Sequence, residues 1–171
     1  MRSTTWRLLP AVCILTACTA SATPFTDEDR TAVAAEIAGQ VAGLTEAMNS
    51  GDAERVMGFY SGDADFVYLG CTNHIMGGEV FSQVVSPSYL ANAGTVFQQE
   101  VVATQVLGPD AAVVSLRGGS STAPYLFWTQ TWQRGEDGWV VTLEHESWPG
   151  CPEPRQPHPF TSGPEVGGTE G

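Results

Sequence analysis

Apolar side chains recur at Val33, Ile37, Val41, Leu44 and Met48, at spacings of four, four, three and four. That is one stripe of an amphipathic helix. Thr26 stands ahead of it with Asp29 three residues on and Asp27 and Glu28 between, a capping pattern with negative charge in the first turn. Asn49-Ser50-Gly51 predicts its end, and Asp52 caps a short second helix carrying Val56, Phe59 and Tyr60. Strands are predicted over 65–69 and near 74–76. Gly77-Gly78 opens a third helix with Val80, Phe81 and Val84, which Pro87 is expected to stop. The pattern then changes to four long strands, over 95–107, 111–117, 125–134 and 139–148. Gly108-Pro109-Asp110, a loop from 118 to 124 and Gly135-Glu136-Asp137-Gly138 make the turns. The order predicts an α+β fold with helices against one curved, mostly antiparallel sheet.

Alternation with period two assigns faces. On the last strand Trp139, Val141, Leu143, His145 and Ser147 share one face, read as inward. Thr142, Glu144 and Glu146 share the other. On the preceding strand Trp128, Gln130 and Trp132 alternate with Phe127, Thr129 and Thr131, and alternation alone leaves the inner set open.

The 22 residues at the N-terminus follow another pattern. Arg2 and Arg7 precede an apolar run over 8–17, shorter than the ~20 residues that span a bilayer and suited to a secretory signal. The run ends in Leu15-Thr16-Ala17-Cys18, which resembles the lipobox of bacterial lipoproteins. Residues 1–17 then form the signal, lipidated Cys18 starts the mature chain, and 18–25 is a linker. Ala20-Ser21-Ala22 offers the alternative of ordinary secretion as a soluble or periplasmic protein. Both readings export the chain to the cell envelope, and only the first anchors it to a membrane. The domain follows over 26–148. The last 23 residues, 149–171, hold six prolines and five glycines and read as a disordered tail.

Charge narrows the function classes. The 171 residues carry 19 acids against 7 arginines and no lysine, a net −12. Cleavage before Cys18 removes two arginines and no acid, taking the charge to −14. This excludes a nucleic-acid partner, which needs a basic patch. The absence of lysine excludes Schiff-base chemistry and the phosphate-binding loop lysine. No Gly-rich nucleotide loop, nucleophile elbow or helix-borne zinc motif is present, so no cofactor is expected. In an oxidising compartment Cys71 and Cys151 read most simply as a disulfide. The alternative set Cys71, His74, Cys151 and His158 has four possible metal ligands, but His158 sits in the tail, and no metal site is assigned.

The segment from Asn49 through Gly51, Asp52, Phe59 and Tyr60, with Asp63-Ala64-Asp65-Phe66 after it, resembles the start of the nuclear transport factor 2-like superfamily. Thr129-x-x-Trp132, Gly138-Trp139 and His145-x-Ser147 are similar to its SnoaL-like polyketide cyclase and ketosteroid isomerase relatives. The resemblance implies a cone-shaped fold whose pocket lies between the curved sheet and the first helix. It places the first and last strands side by side and parallel, which supports the Cys71–Cys151 pair. It makes Trp128 and Gln130 inward, and a pocket of Leu44, Tyr60, Phe66, Tyr68, Trp128, Gln130, Leu143, His145 and Ser147 follows. The isomerase base, tyrosine and acid positions fall on Tyr68, Leu44 and Gln130, so steroid-isomerase chemistry is disfavoured by the residues themselves.

Two functions remain. One is an exported, membrane-anchored protein binding a small apolar or amphipathic molecule in an aromatic pocket. The other is a cyclase- or isomerase-type enzyme with His145 as the acid–base residue. Relatives that dimerise through the exposed sheet face add a homodimeric interaction module, against which the acidic outward row of Thr142, Glu144 and Glu146 counts.

Overall fold

The computed structural model describes residues 24–71, 73–91 and 94–151. The signal segment, Cys18, His158 and all but the start of the tail lie outside the described residues. Helix α1 (Asp27–Ser50) begins at a capping box in which the Thr26 side chain accepts from the Asp29 backbone and Asp29 reaches back to Thr26. It ends at Gly51, whose φ of 69° is the left-handed conformation that glycine adopts without cost. The stripe Val33, Ile37, Val41, Leu44 and Met48 is buried, joined by Ala47. Asp52 caps α2 (Ala53–Met57) by accepting from the Arg55 backbone.

Strands β1 (Val67–Leu69) and β2 (His74–Met76) form a short hairpin, followed by α3 (Gly78–Ala91). Gly78 sits where any Cβ would run into the Ser61 carbonyl, and its backbone donates to Asp63. Pro87 lies inside α3 rather than ending it. Its ring sits on the exposed side of the helix, so a single turn loses its bond while the axis continues.

Four long strands complete the chain: β3 (Phe97–Gly108), β4 (Ala111–Ser120), β5 (Leu126–Gly135) and β6 (Gly138–Ser147). They form one six-stranded sheet in the order β2-β1-β6-β5-β4-β3. Every neighbouring pair is antiparallel except β1 and β6, which run parallel. Cys71 and Cys151, just past the ends of these two strands, are bonded, with Cα atoms 5.4 Å apart. Sheet and helices enclose one core in which Ile37, Leu44, Val56, Phe66, Val114, Trp132 and Val141 lose all contact with solvent. This is a helix-on-curved-sheet α+β cone.

One irregularity decides what faces that core. Thr131 of β5 pairs with Leu143, but Trp132 pairs with Val141, so Thr142 is an extra, unpaired residue in β6. Such a bulge inverts the face of every residue beyond it. Trp139 and Val141 point inward as alternation requires; past Thr142 the inward residues are Glu144 and Glu146. The inward reading of Leu143, His145 and Ser147 is therefore corrected. His145 is exposed, and Leu143 and Ser147 are half-buried on the outer side.

Candidate functional site

Register brings the interior polar groups into one row. Tyr68 of β1 stands opposite Glu144 of β6, and Glu144 opposite Gln130 of β5. Paired residues share a face of the sheet, so Tyr68, Glu144 and Gln130 line up across three strands. A fourth group comes from the segment after α2. Ser61 donates to the Val141 carbonyl and Val141 donates to the Phe59 carbonyl, both at 2.8 Å. Tyr60, held between them, is bridged to Val141 of β6, one residue before the unpaired Thr142.

Glu144 is the centre of the row. Its Oε2 accepts from the Tyr60 hydroxyl at 3.0 Å and from Gln130 Nε2 at 2.6 Å. Gln130 Oε1 accepts in turn from Trp132 Nε1 at 3.0 Å. Burial pushes the Glu144 carboxyl up to about 7, helped by the negative Glu146 and opposed by the bonds from Gln130 and Tyr60. Glu146, two residues on, accepts from Trp128 Nε1 at 2.9 Å, and burial raises its carboxyl as well. Tyr68 is pushed well above the ordinary phenol range, first by burial and then by both glutamates. It stays neutral and can donate a proton in a hydrogen bond but not serve as a base.

Aromatic rings surround this row. Phe81 of α3 lies 4.9 Å from Tyr60, 4.8 Å from Phe66 and 5.3 Å from Tyr68, centroid to centroid. Tyr60 and Phe66 meet edge to face at 5.9 Å. These contacts belong to the core and also give the row an aromatic end.

Of the residues read as pocket-forming, Leu44, Phe66, Trp128 and Gln130 are buried in the packed interior, Tyr60 is buried at its edge and Tyr68 is half-buried. Leu143, His145 and Ser147 belong to the other face. They are not joined in one open cavity. A concavity of about 290 Å³ opens beside Met57, Tyr60, Ser61, Phe81, Ser82 and Gln83, reaching the aromatic end of the row. A larger one, about 750 Å³, lies elsewhere. Its walls include Gln98, Glu100, Arg117, Tyr125 and Phe127, which alternation places on the outer sheet face and hairpin rim. Arg117 and Glu100 there bind each other through two bonds of 2.8 and 2.9 Å, leaving neither charge uncompensated. The larger opening therefore holds none of the interior chemistry.

The residues missed by sequence reasoning are Glu144 and Glu146, and Phe81 as a wall of the site. The strand pattern assigned both acids outward, and nothing in their local composition marks the bulge that turns them. Only their spacing to each other, two residues on one strand, was visible. Inversion also changes the outer face, whose last-strand row is Leu143, His145 and Ser147 rather than an acidic one. Among the described residues no cluster of three or more histidine, cysteine or acidic side chains is arranged to hold a metal.

The cone with its parallel β1–β6 pair is the fold of nuclear transport factor 2-like proteins. No family model matches the chain, and no curated protein matches it. Solved structures do. A nuclear transport factor 2-like protein of unknown function from Shewanella oneidensis superposes with a TM-score of 0.60 at 20% identity, over 68% of this chain and 99% of that one. A proposed dehydratase of the same family from Streptomyces avermitilis gives 0.61 at 19% identity, over 69% and 96%. A family member of unknown function from Pseudomonas putida gives 0.60 at 18%, over 70% and 88%. At these identities the likeness establishes the fold and says nothing of the reaction.

Proposed function

We propose that this chain is an exported protein of the bacterial cell envelope, held to a membrane through a lipid on Cys18, that binds a small apolar or amphipathic molecule at the Tyr60–Glu144–Gln130 row. The observation that carries the binding reading is the convergence of three polar side chains from three separate elements on an aromatic cluster. Ligand sites are built this way, mostly apolar with a few placed polar groups. The 290 Å³ concavity beside Tyr60 and Phe81 supplies the approach. The export reading rests on the cationic start, short apolar run and lipobox-like Leu15-Thr16-Ala17-Cys18.

Thermal shift and native mass spectrometry of the mature protein against hydrophobic metabolites test the binding. A retained or stabilising ligand whose effect is lost in Tyr60→Phe with Gln130→Leu supports it; no ligand, or one indifferent to both changes, refutes it. Mass spectrometry of the mature N-terminus tests the anchor, and an unmodified chain starting at Thr23 refutes it.

A second reading is favoured by one observation, the carboxyl raised to about 7 beside two hydrogen-bond donors. A group titrating near working pH suits general acid–base catalysis, so a cyclase- or isomerase-type reaction would run on Glu144 in place of His145. Turnover of any substrate should then fall at least ~100-fold in Glu144→Gln and be unaffected in His145→Ala. A homodimer through the outer sheet face remains a proposal for the partner, and the carboxylate-free row Leu143, His145 and Ser147 supports it. Sedimentation of the mature domain checks that, and a strict monomer at high concentration removes it.

A further inference from the structure

Glu144 is buried in the interior and Glu146 is half-buried beside it, and among the described residues neither has a positive partner. Glu144 and Glu146 both face the core, bonded only to neutral donors, Tyr60 and Gln130 for the first and Trp128 for the second. The chain has no lysine. Its four described arginines are spent on the surface. Arg30 donates to the Val106 carbonyl, Arg55 pairs with Glu46, Arg117 with Glu100, and Arg134 with Glu36 and Asp110. Both described histidines, His74 and His145, are exposed. Buried acids are ordinarily paired with a cation or coordinate one, and here, among the described residues, the protein supplies none.

The surroundings of the two acids suit one kind of counter-charge. Tyr60, Phe66, Tyr68 and Phe81 pack ring on ring at 4.8–5.9 Å, and the Trp128 indole N–H donates to Glu146. Aromatic faces attract organic cations through the ring quadrupole, most strongly where water is excluded. A small metal ion would need more oxygen ligands than two carboxylates provide. An anionic molecule would be repelled by both acids. We infer that the molecule bound at the Tyr60–Glu144–Gln130 row is an organic amine, primary to quaternary, whose nitrogen is drawn towards the charge of Glu144 and Glu146 and whose apolar part lies against Tyr60 and Phe81 in the concavity beside them.

This rests on the binding proposed above and adds the ligand's charge, so the test separates the two. The full mature chain with its disulfide intact is titrated by calorimetry at pH 8 in 150 mM salt with n-octylamine, octyltrimethylammonium, 1-octanol and octanoate. Both cations should bind at least ~10-fold more tightly than octanol, with octanoate weakest. Glu144→Gln and Glu146→Gln should each lower that preference while leaving octanol unchanged. Glu28→Gln, on the exposed first turn of α1, should leave it intact and so rule out attraction to the protein's overall negative charge. Octanol binding as tightly as octylamine, or a cation preference equal in all three variants, overturns the inference and spares the binding reading. No binding by any of the four probes overturns both.

Discussion

Replacing Glu144 by glutamine removes a buried acid while keeping a side chain of the same shape. The glutamine oxygen can accept the bonds now given by the Tyr60 hydroxyl and Gln130 Nε2. In the fold the Glu144 carboxyl sits at about 7 against an ordinary value of 4.5. At ~1.4 kcal/mol per pH unit, that gap amounts to about 3 kcal/mol. The sign follows from proton counting. Between 4.5 and 7 the folded chain keeps a proton that the unfolded chain has released, so stability falls as pH rises through this window. Below 4.5 the penalty is absent, and above 7 it is complete. Glu144→Gln never incurs it. The variant should therefore match the parent near pH 4 and exceed it at pH 8 by about 3 kcal/mol, or about 10 °C in Tm for a domain of this size. Glu146 is raised in the same direction by burial and tilts both proteins alike, so the informative quantity is the difference between them. Urea and thermal unfolding from pH 4 to 8, with the disulfide intact, measure it. A variant no more stable than the parent at pH 8, or an offset that does not change with pH, would refute the claim that Glu144 is buried at a cost.

Further predictions concern the frame around the row. Cys71→Ser should destabilise the oxidised protein by about 4 kcal/mol, since the bridge closes a separation of 80 residues; urea unfolding with and without reductant checks this, and the parent under reductant should match the variant. Leu44→Ala, at a position with no solvent exposure, should cost roughly 2–5 kcal/mol through lost burial and the cavity left behind, read by the same unfolding. Asn49 accepts from the Phe97 backbone at 2.6 Å and donates to its carbonyl at 3.0 Å, occupying the edge of β3. Asn49→Ala should cost about 1 kcal/mol and speed hydrogen exchange at the Phe97 amide.

The helices were legible because their evidence is local. The capping box at Thr26, the stripe from Val33 to Met48 and the left-handed Gly51 each depend on residues within a few positions of one another, and the structure reproduces all three. Strand order was legible through the resemblance, which placed β1 beside β6 and hence Cys71 near Cys151. Pro87 was misread because proline's effect on a helix depends on which side of the helix it occupies, and that is set by packing. His145 was misread for a different reason. Period-two alternation is a running count along the strand, and one unpaired residue at Thr142 resets it.

The amino-acid sequence by itself determined both ends of the first helix, the strand count, the α+β class and the acidic, lysine-free composition. All of these follow from neighbours in the chain or from a plain census. Only the tertiary structure decided that Glu144 and Glu146 face the core. That choice belongs to the register between β5 and β6 and to partners far off in sequence, Tyr60 above all, 84 residues away. A carboxylate on a strand carries no mark of which side it occupies. Its neighbours across the sheet assign the side, and with it the chemistry the interior can offer.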